Sequence, residues 1–283
     1  MRRLLVVSLG LLVLCGTLCA QDSNGHHNWW LRGIVETHGT NATVGADYGV
    51  PLSQAITAVR EEYGWVVHYE DPPYQSSYDL VVRGQPGARR MVPRGGAFES
   101  TYPLTPDMWG SHTTEREVLE KIVSDYNQSG LPGKFLVSEQ SDGSFAIIGN
   151  SIASADGSKQ PIPAILDTPV TITITPRNLY ETFKLIGDAL TLKVGTKVGA
   201  LVANPNFAFR SSVSVGGTNV SARSLLVQAA RQLPVATVWN LYYDPSTPMY
   251  FLNFGAAGRA VYNASGQREL VIIRNPSFTE EAH

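Results

Sequence analysis

Residues 51–70 read PLSQAITAVREEYGWVVHYE and predict a helix followed directly by a strand. Apolar side chains recur in the helical part at offsets 0, 4, 7 and 11, which places them on one face of an α-helix. Pro51 suits the first helical position, and Gly64 suits the left-handed residue that ends a helix. After Gly64 the side chains alternate between two faces, which indicates a strand. The helical stripe consists of Leu52, Ile56, Val59 and Tyr63.

The second half of the chain repeats this helical spacing. Offsets 0, 4, 7 and 11 recur from Leu179, and a second pair of stripes, from Val118 and from Leu225, shares the offsets 0, 1, 4 and 8. Two helices in the same order in both halves predict a duplicated unit. We therefore expect an α+β fold of two related β-α-β-β-α-β-β halves, with helices packed on mostly antiparallel sheets, each half on its own sheet. The stripes are Leu179, Phe183, Ile186 and Leu190; Val118, Leu119, Ile122 and Tyr126; Leu225, Leu226, Ala229 and Leu233.

Polar and proline-containing stretches suggest where the chain divides. The stretch between the halves is polar and is followed by Pro161 and Pro163, which is typical of a linker. The stretch after the first twenty residues is rich in Asn, Gly, His and Thr and predicts a mobile arm. The expected organisation is a signal peptide (1–20), an N-terminal arm (21–43), a first half (44–150), a linker (151–163) and a second half (164–283).

Local signals predict where three further helices and two strands begin. Thr114, with a glutamate three residues later, predicts a capping box. Thr175, followed by a proline, predicts the cap of the third helix, and Ser221 predicts the cap of the fourth. Residues 208–211 echo the Ala-Phe-x-Ser pattern of residues 97–100, so both segments are predicted to begin strands.

The first twenty residues predict export. Arg2 and Arg3 form a basic start, residues 4–14 are apolar, and small residues lead up to Ala20. The apolar run is shorter than the roughly 20 residues of a membrane-spanning helix. We expect an exported protein, periplasmic or associated with the cell envelope, with no transmembrane segment after cleavage. An uncleaved N-terminal anchor and a lipidated Cys19 are the alternatives.

Cysteine content and charge exclude some functions of the mature chain. Cys15 and Cys19 are the two cysteines of the sequence, and both lie in the predicted signal peptide. The mature chain would then have neither a disulfide nor a thiol nucleophile. The net charge of −2 becomes −4 when Arg2 and Arg3 are removed, because 20 basic residues then face 24 acidic ones. This balance predicts no nucleic-acid partner.

Residues 50–59, VPLSQAITAV, followed by residues 63–69, YGWVVHY, resemble the short N-terminal domain of secretins and TonB-dependent receptors (an STN-like domain). The shared pattern is Pro-Leu, an alanine-containing helix, a glycine stop and an alternating strand. The resemblance covers residues 50–70. It implies a small periplasmic α/β module that docks other proteins, and it implies no catalytic residue.

Six residues are candidates for a binding surface. Four arginines in one glycine- and proline-containing loop suit an anionic partner, such as a phosphate or a carboxylate. Two tyrosines beside a Pro-Pro pair suit a sugar or a protein. The alternatives are a solvated loop for the arginines and a place in the core for the tyrosines. The candidates are Arg83, Arg89, Arg90, Arg94, Tyr74 and Tyr78.

No set of residues clearly predicts catalysis or metal binding. His68, Glu70 and Asp71 cluster at the end of a predicted strand, where they suit either acid–base chemistry or a solvated strand face; we expect the solvated face. His26 and His27 have no spaced third ligand, and no HExxH or Gly-x-Ser-x-Gly motif occurs. The sequence therefore predicts no catalytic residue, no metal site and no cofactor.

The function expected from these patterns is a non-enzymatic binding or assembly module of the bacterial cell envelope that docks a protein partner. The alternative is an envelope hydrolase or a carbohydrate-binding protein with an unrecognised site. A third option places the function in the arm around Trp29 and Trp30. A cavity with convergent His, Asp or Glu side chains would favour an enzyme. An exposed apolar patch or an unpaired strand edge would favour docking.

Overall fold

A computed structural model describes residues 33–47, 49–85, 87–108, 111–202, 205–275 and 278. The predicted signal peptide, both cysteines, His26, His27 and the Trp29–Trp30 pair lie outside these residues. Among the described helices, none is long and apolar enough to span a membrane. The predicted mixed α+β class is confirmed. The helices are α1 (Pro51–Tyr63), α2 (His112–Gln128), α3 (Leu179–Val194), α4 (Pro205–Arg210) and α5 (Ala222–Arg231).

The described residues also form sixteen strands and a 3-10 turn at Ile165–Asp167. The first half contributes β1 (Ile34–His38), β2 (Asn41–Asp47), β3 (Val67–Glu70), β4 (Leu80–Arg83), β5 (Arg90–Pro93), β6 (Ala97–Pro103), β7 (Lys134–Glu139), β8 (Phe145–Ala153) and β9 (Lys159–Pro161). The second half contributes β10 (Pro169–Asn178), β11 (Lys197–Val202), β12 (Ser212–Ser221), β13 (Thr237–Asp244), β14 (Met249–Ala256), β15 (Gly258–Tyr262) and β16 (Arg268–Ile272).

The predicted helical stripes are the buried faces of four helices. Every side chain in the four stripes is at most 5% exposed. Helix α1 begins and ends where the sequence predicts: Pro51 is its first residue, and Gly64 follows it with a φ of 79°. A residue with a side chain is strained at this φ, whereas glycine adopts it readily. The stripes therefore position the helices against the sheet.

A central sheet of seven strands joins the two halves. Its order is β11-β14-β13-β3-β8-β7, and β9 pairs with β8. Strand β13 of the second half runs parallel to β3 of the first, with Asn240 opposite Tyr69 and Leu241 opposite Glu70. The expectation that each half builds its own sheet is therefore wrong. Pairing between β3 and β13 makes the central sheet continuous across the halves.

The two main cores lie on opposite faces of the central sheet. Val67 and Tyr69 of β3 belong to the core that contains the α1 stripe. Trp239 and Leu241 of β13 belong to the core that contains the α3 stripe. Leu241 lies opposite Glu70. Neighbouring residues of a strand point to opposite faces, so Glu70 and Leu241 share the face that Tyr69 does not point to. Helices α1 and α2 thus cover one face, and α3 and α5 cover the other.

Strand pairing follows the same order in both halves. Strand β3 is parallel to β8, which is antiparallel to β7; in the second half, β11 is parallel to β14, which is antiparallel to β13. The strands that precede the helices also pair, β2 with β6 and β10 with β12. This agreement is compatible with duplication. Common descent of the halves stays a prediction, because pairing order alone does not establish it.

Two predicted segment boundaries are wrong. The described part of the N-terminal arm, from residue 33, contains β1 and the start of β2, and Ala42 and Val44 are fully buried under α1. The predicted linker, 151–163, contains the end of β8 and all of β9, which form a hairpin. Asp79 holds this hairpin, because its Oδ2 accepts a 2.7 Å hydrogen bond from the Ala153 amide. Polar composition indicated solvent exposure in both segments, but backbone pairing orders them.

Some predicted helix and strand starts are also wrong. Ser111, not Thr114, caps α2. Strand β10 continues through Thr175 and Pro176, so Asn178 caps α3 instead, accepting a 2.8 Å hydrogen bond from the Glu181 amide. Residues 208–210 lie in α4 rather than in a strand. The predicted cap at Ser221 is confirmed. Nearby polar residues compete for each cap, and tertiary packing decides between them.

Candidate functional site

The two tyrosines predicted to bind a partner lie in different environments. Tyr74 is 1% exposed, belongs to the α3-side core, and donates a 3.3 Å hydrogen bond to Asp71 Oδ1. Its assignment to a binding surface is therefore wrong. Tyr78 is 49% exposed and lies just before β4. Of the two, Tyr78 alone is placed where a partner can reach it.

The four arginines predicted to bind an anion lie on or beside the β4–β5 hairpin. Arg83 and Arg90 are directly opposite each other in its ladder. Arg89, Arg90 and Arg94 are exposed. Like charges in cross-strand positions repel unless a counter-charge separates them. Anion binding by this hairpin stays a prediction.

The polar cluster at the end of β3 is buried, so the expected solvated strand face is wrong. His68, Glu70 and Asp71 are 0%, 2% and 3% exposed. Strand β3 lies between β13 and β8, and helices of different halves cover its two faces. The alternation of side chains in this strand predicted two faces, but it did not indicate that the second half of the chain covers the face with His68 and Glu70. We call His68, Glu70, Asp71, Arg223 and Trp239 the junction cluster.

A buried ion pair connects the halves within the junction cluster. The guanidinium of Arg223, on α5, donates to both carboxylate oxygens of Glu70, and its Nη2 lies 3.0 Å from Glu70 Oε2. Arg223 Nε donates to Asp167 Oδ1 at 2.8 Å. Burial raises the pKa of Glu70. Burial opposes the charge of Arg223 as well, but Glu70 and Asp167 outweigh it and raise the Arg223 pKa.

The sequence contains a signal for the buried position of Arg223. Arg223 stands at offset 0 of an apolar stripe that continues at offsets 3, 4 and 7, with Leu226, Val227 and Ala230. A charged residue on a buried stripe needs a buried partner. Its partner, Glu70, is 153 residues away in the chain. No local pattern identifies such a partner.

Asp71 ties the end of β3 to β13. Its Oδ1 accepts a 2.8 Å hydrogen bond from the Tyr69 hydroxyl, and its Oδ2 accepts one of 3.1 Å from the Tyr243 amide. Its own amide donates to the Leu241 carbonyl at 2.8 Å. Burial raises the pKa of Asp71 to about 7 even though these hydrogen bonds oppose the rise. The role supported by these contacts is connection of the halves.

His68 is a neutral histidine with a defined tautomer. Its ring stacks on Trp239 with 3.3 Å between centroids, and its Nδ1 accepts a 3.3 Å hydrogen bond from the Trp239 amide. The imidazole proton is therefore on Nε2, which donates to Ser144 Oγ at 3.1 Å. Burial, and the nearby charges of Arg60 and Arg223, hold the pKa of His68 well below its usual value.

We expect His68 to make the fold less stable in acid. An unfolded histidine takes up a proton as pH falls below about 6.5, whereas the buried ring stays neutral. The free energy of unfolding should then fall by up to about 1.4 kcal/mol per pH unit below that point. Urea unfolding of the wild type and His68→Gln between pH 7 and pH 5 measures the difference. Buried carboxyls with raised pKa values make the fold more stable as pH falls. Because the wild type and the variant share these carboxyls, their contribution cancels in the difference between the two free energies of unfolding.

The control for the His68 prediction is His38→Gln, which changes a mostly exposed histidine. This variant should keep the wild-type pH profile. If His68→Gln also keeps the wild-type slope, His68 does not stay neutral in the folded protein.

A cavity of about 580 Å³ lies where the parallel strands β3, β8 and β13 begin. We call it the inter-half cavity, because both halves line it. The first half supplies Glu115, Glu139 and Asp142, and the second half supplies Arg231 and Thr237. Arg231 donates to the Ser141 carbonyl and so bridges the halves beside the cavity. None of the six residues predicted to bind a partner lines it.

Two glutamates of the inter-half cavity differ in protonation. Burial raises the pKa of Glu115 to about 8. A hydrogen bond from His112 and the charge of Arg116 lower the pKa of Glu139. Glu115 Oε1 has no hydrogen-bond partner among the described residues. The sequence held a signal here too, because Glu115 precedes the stripe residues Val118 and Leu119 by one helical turn.

Ser144 and His68 do not form a nucleophile and its base. A serine nucleophile needs a histidine nitrogen that accepts its proton. His68 Nε2 instead donates to Ser144, while the Ser144 hydroxyl donates to Asp142 Oδ1 at 2.6 Å. The hydrogen bonds run in the wrong direction for acyl transfer.

A second candidate surface is the C-terminal hairpin, formed by β15 and β16. Within the described part of the chain, these strands pair only with each other. Five of its apolar side chains are 36–67% exposed, namely Val261, Tyr262, Leu270, Val271 and Ile272. Arg268 Nη2 bonds Glu61 Oε2 at 2.6 Å and anchors the hairpin to α1. The hairpin combines an open strand edge with an apolar surface.

Comparisons with family models, with curated proteins and with solved structures found no match to this chain. The geometry of the described residues therefore carries the functional argument. It includes both features that distinguish the two expected functions: a cavity with acidic groups and an apolar strand edge.

Proposed function

We propose that this protein is an exported, non-enzymatic module of the bacterial cell envelope that docks a protein partner through its C-terminal hairpin. The observation that carries the proposal is the outer edge of β16, which no other strand of the described residues pairs with. It carries three consecutive apolar side chains, Leu270, Val271 and Ile272, that are about half exposed. Such an edge accepts an extended strand of another protein, which adds backbone hydrogen bonds to apolar contacts.

The base of the hairpin supports this role, because it is held in place. The Ile273 amide donates to Ala257 at 3.0 Å, and the Ala236 amide donates to Ile273 at 2.9 Å. The hairpin is therefore attached to the start of β13. A fixed edge loses less conformational entropy on binding than a flexible one. The STN-like segment at residues 50–70 and the predicted signal peptide support the envelope location and the docking class.

The geometry gives less support to the alternative, an envelope hydrolase or a carbohydrate-binding protein. Hydrolysis needs an activated nucleophile or a base with a free lone pair. In the inter-half cavity, Ser144 donates to Asp142, and Glu139 is occupied by Arg116 and His112. Burial raises the pKa of Glu115 to about 8, so this carboxyl is protonated at neutral pH and is not a base there. Aromatic side chains at the cavity do not offer open faces for a sugar, because Tyr63 and Trp65 are 5% and 6% exposed.

Lysine substitutions on β16 should abolish docking. We expect Leu270→Lys/Ile272→Lys to reduce recovery of a stoichiometric envelope protein by at least about tenfold, because charges at an apolar contact oppose its desolvation. The measurement is quantitative pull-down from envelope extract with the mature chain. The matched control is Leu192→Lys, since Leu192 on α3 is 88% exposed. Equal recovery by both variants, or no stoichiometric partner of the wild type, contradicts the proposal.

A further inference from the structure

The β4–β5 hairpin concentrates positive charge on one surface. Residues 80–98, which contain both of its strands, include four arginines and no acidic residue. The rest of the chain has the remaining 18 of the 22 basic residues against 24 acidic ones. Arg89, Arg90 and Arg94 are exposed, and none has an ion-pair partner among the described residues. The opposite charge of the rest of the chain should turn this hairpin toward an anionic partner.

An exposed apolar pair lies in the same hairpin. Val82 and Met91 are directly opposite each other in the ladder, and they are 62% and 42% exposed. Leu80 and Pro93, the pair two residues closer to the base, are buried. Side chains two residues apart in a strand share a face. This face of the hairpin is therefore covered at its base and projects as an apolar surface toward its tip.

The carboxylates of two residues that flank the hairpin already have partners. Asp79, directly before β4, is buried and binds the Lys159 Nζ at 3.2 Å and the Ala153 amide at 2.7 Å. Asp244, at the end of β13, accepts hydrogen bonds of 2.8 Å from the Ser246 amide and the Thr247 hydroxyl. Neither carboxylate neutralises the exposed arginines, so their charge is available to a partner.

The hairpin is fixed to the body of the protein. The Arg94 amide donates to the Asp79 carbonyl at 2.7 Å, and the Ser246 hydroxyl donates to the Met91 carbonyl at 2.8 Å. A fixed surface loses less conformational entropy on binding than a flexible one. Ser246 follows the end of β13, whereas the C-terminal hairpin is attached at the start of that strand. The two hairpins are therefore separate surfaces at opposite ends of β13.

We propose that the β4–β5 hairpin contacts an anionic lipid surface, where Arg89, Arg90 and Arg94 bind lipid phosphates while Val82 and Met91 enter the interfacial layer. A guanidinium binds phosphate oxygens in a bidentate manner, and its apolar stem can extend along the acyl boundary. The apolar pair favours a lipid over a soluble anion, because a soluble anion does not remove these side chains from water. This surface goes beyond the docking proposal and does not rest on it.

Vesicle co-sedimentation with the mature chain tests the proposal. Vesicles of phosphatidylcholine with about one third phosphatidylglycerol should bind at least about tenfold more tightly than phosphatidylcholine alone, because an anionic surface attracts each arginine. Raising the salt concentration from about 0.05 M to about 0.5 M should reduce this preference, because the electrostatic screening length falls. Equal affinity for both kinds of vesicle, or binding to neither, overturns the proposal.

Arginine variants assign the charge effect to the hairpin. Arg89→Gln/Arg90→Gln/Arg94→Gln should weaken binding to the anionic vesicles about a hundredfold, because each arginine near the surface contributes about fivefold. The unfolding midpoint shows whether the variant is folded.

The matched control removes the same number of positive charges from exposed positions of α3, β11 and α4. This variant is Lys193→Gln/Lys197→Gln/Arg210→Gln, and it should bind like the wild type. Equal loss of affinity in the control and the hairpin variant would mean that net charge, rather than the hairpin, drives binding, and would overturn the proposal.

Serine variants test the apolar pair at constant charge. Val82→Ser/Met91→Ser should lose at least about fivefold in affinity for the anionic vesicles, because less apolar surface leaves water. The control is Ile174→Ser/Leu192→Ser, at positions that are 66% and 88% exposed, and it should keep the wild-type affinity. Wild-type affinity in the hairpin variant would show that the pair does not enter the lipid layer.

Two soluble anions distinguish a membrane from other sources of negative charge. At matched ionic strength, neither inorganic phosphate nor polyglutamate should displace the chain from the anionic vesicles, because neither takes up Val82 and Met91. Displacement by phosphate would assign the arginines to free phosphate, and displacement by polyglutamate would assign them to an acidic protein. Either displacement overturns the proposal.

Discussion

Replacing Arg223 with methionine should destabilise the fold by about 3–5 kcal/mol. The substitution leaves the Glu70 carboxylate buried at the junction of the halves without a counter-charge. Desolvation of a carboxylate is expensive, and the ion pair offsets it only while both partners are present. The measurement is the free energy of unfolding from urea denaturation at pH 7.

A double variant distinguishes loss of the pair from loss of packing. Arg223→Met/Glu70→Leu removes both charges and should recover most of the lost stability, because apolar groups of similar size often replace buried ion pairs without penalty. Asp167, the third partner, is 59% exposed and stays solvated. The control is Arg89→Met, an exposed arginine, which should leave the midpoint unchanged. Equal loss in the single and the double variant would mean that packing, not charge, dominates.

Leu52→Ala and Leu179→Ala should each lower the free energy of unfolding by about 2–5 kcal/mol. Both leucines are fully buried near the starts of α1 and α3, in cores on opposite faces of the central sheet. Because that sheet is continuous, loss of one core exposes the strands that support the other. We therefore expect either variant to shift one common transition.

Two probes measure whether unfolding is common to both halves. Tryptophan fluorescence reports on Trp65 in the first core and Trp239 in the second, and far-ultraviolet circular dichroism reports on the helices of both. Both probes should give the same midpoint for each variant. Leu192→Ala, at an 88% exposed position, should change stability by less than about 0.5 kcal/mol. Two separate transitions, each sensitive to one leucine, would show that the halves unfold independently.

Much of the local structure could be predicted, and most of the candidate site could not. The α1 stripe and its glycine stop depend on neighbours within one or two helical turns, so they are visible in the sequence. Arg223 and Glu115 were also visible, as charged residues in line with apolar stripes. Their significance depends on what covers them. The cavity around Glu115 draws on residues from both halves, and no local pattern brings these together.

The amino-acid sequence was enough to predict four of the five described helices with their buried faces, the alternation of the main strands and the mixed α+β class. Hydrophobic periodicity acts over a few residues, and so do proline and glycine at helix ends. These local effects do not depend on which distant residues form the core, provided that the apolar face is buried. Tertiary structure alone decided that β13 pairs with β3, so that one sheet serves both halves and buries His68 and Glu70. Residues 69 and 240 meet only when long loops close, and the free energy of that contact comes from both cores together.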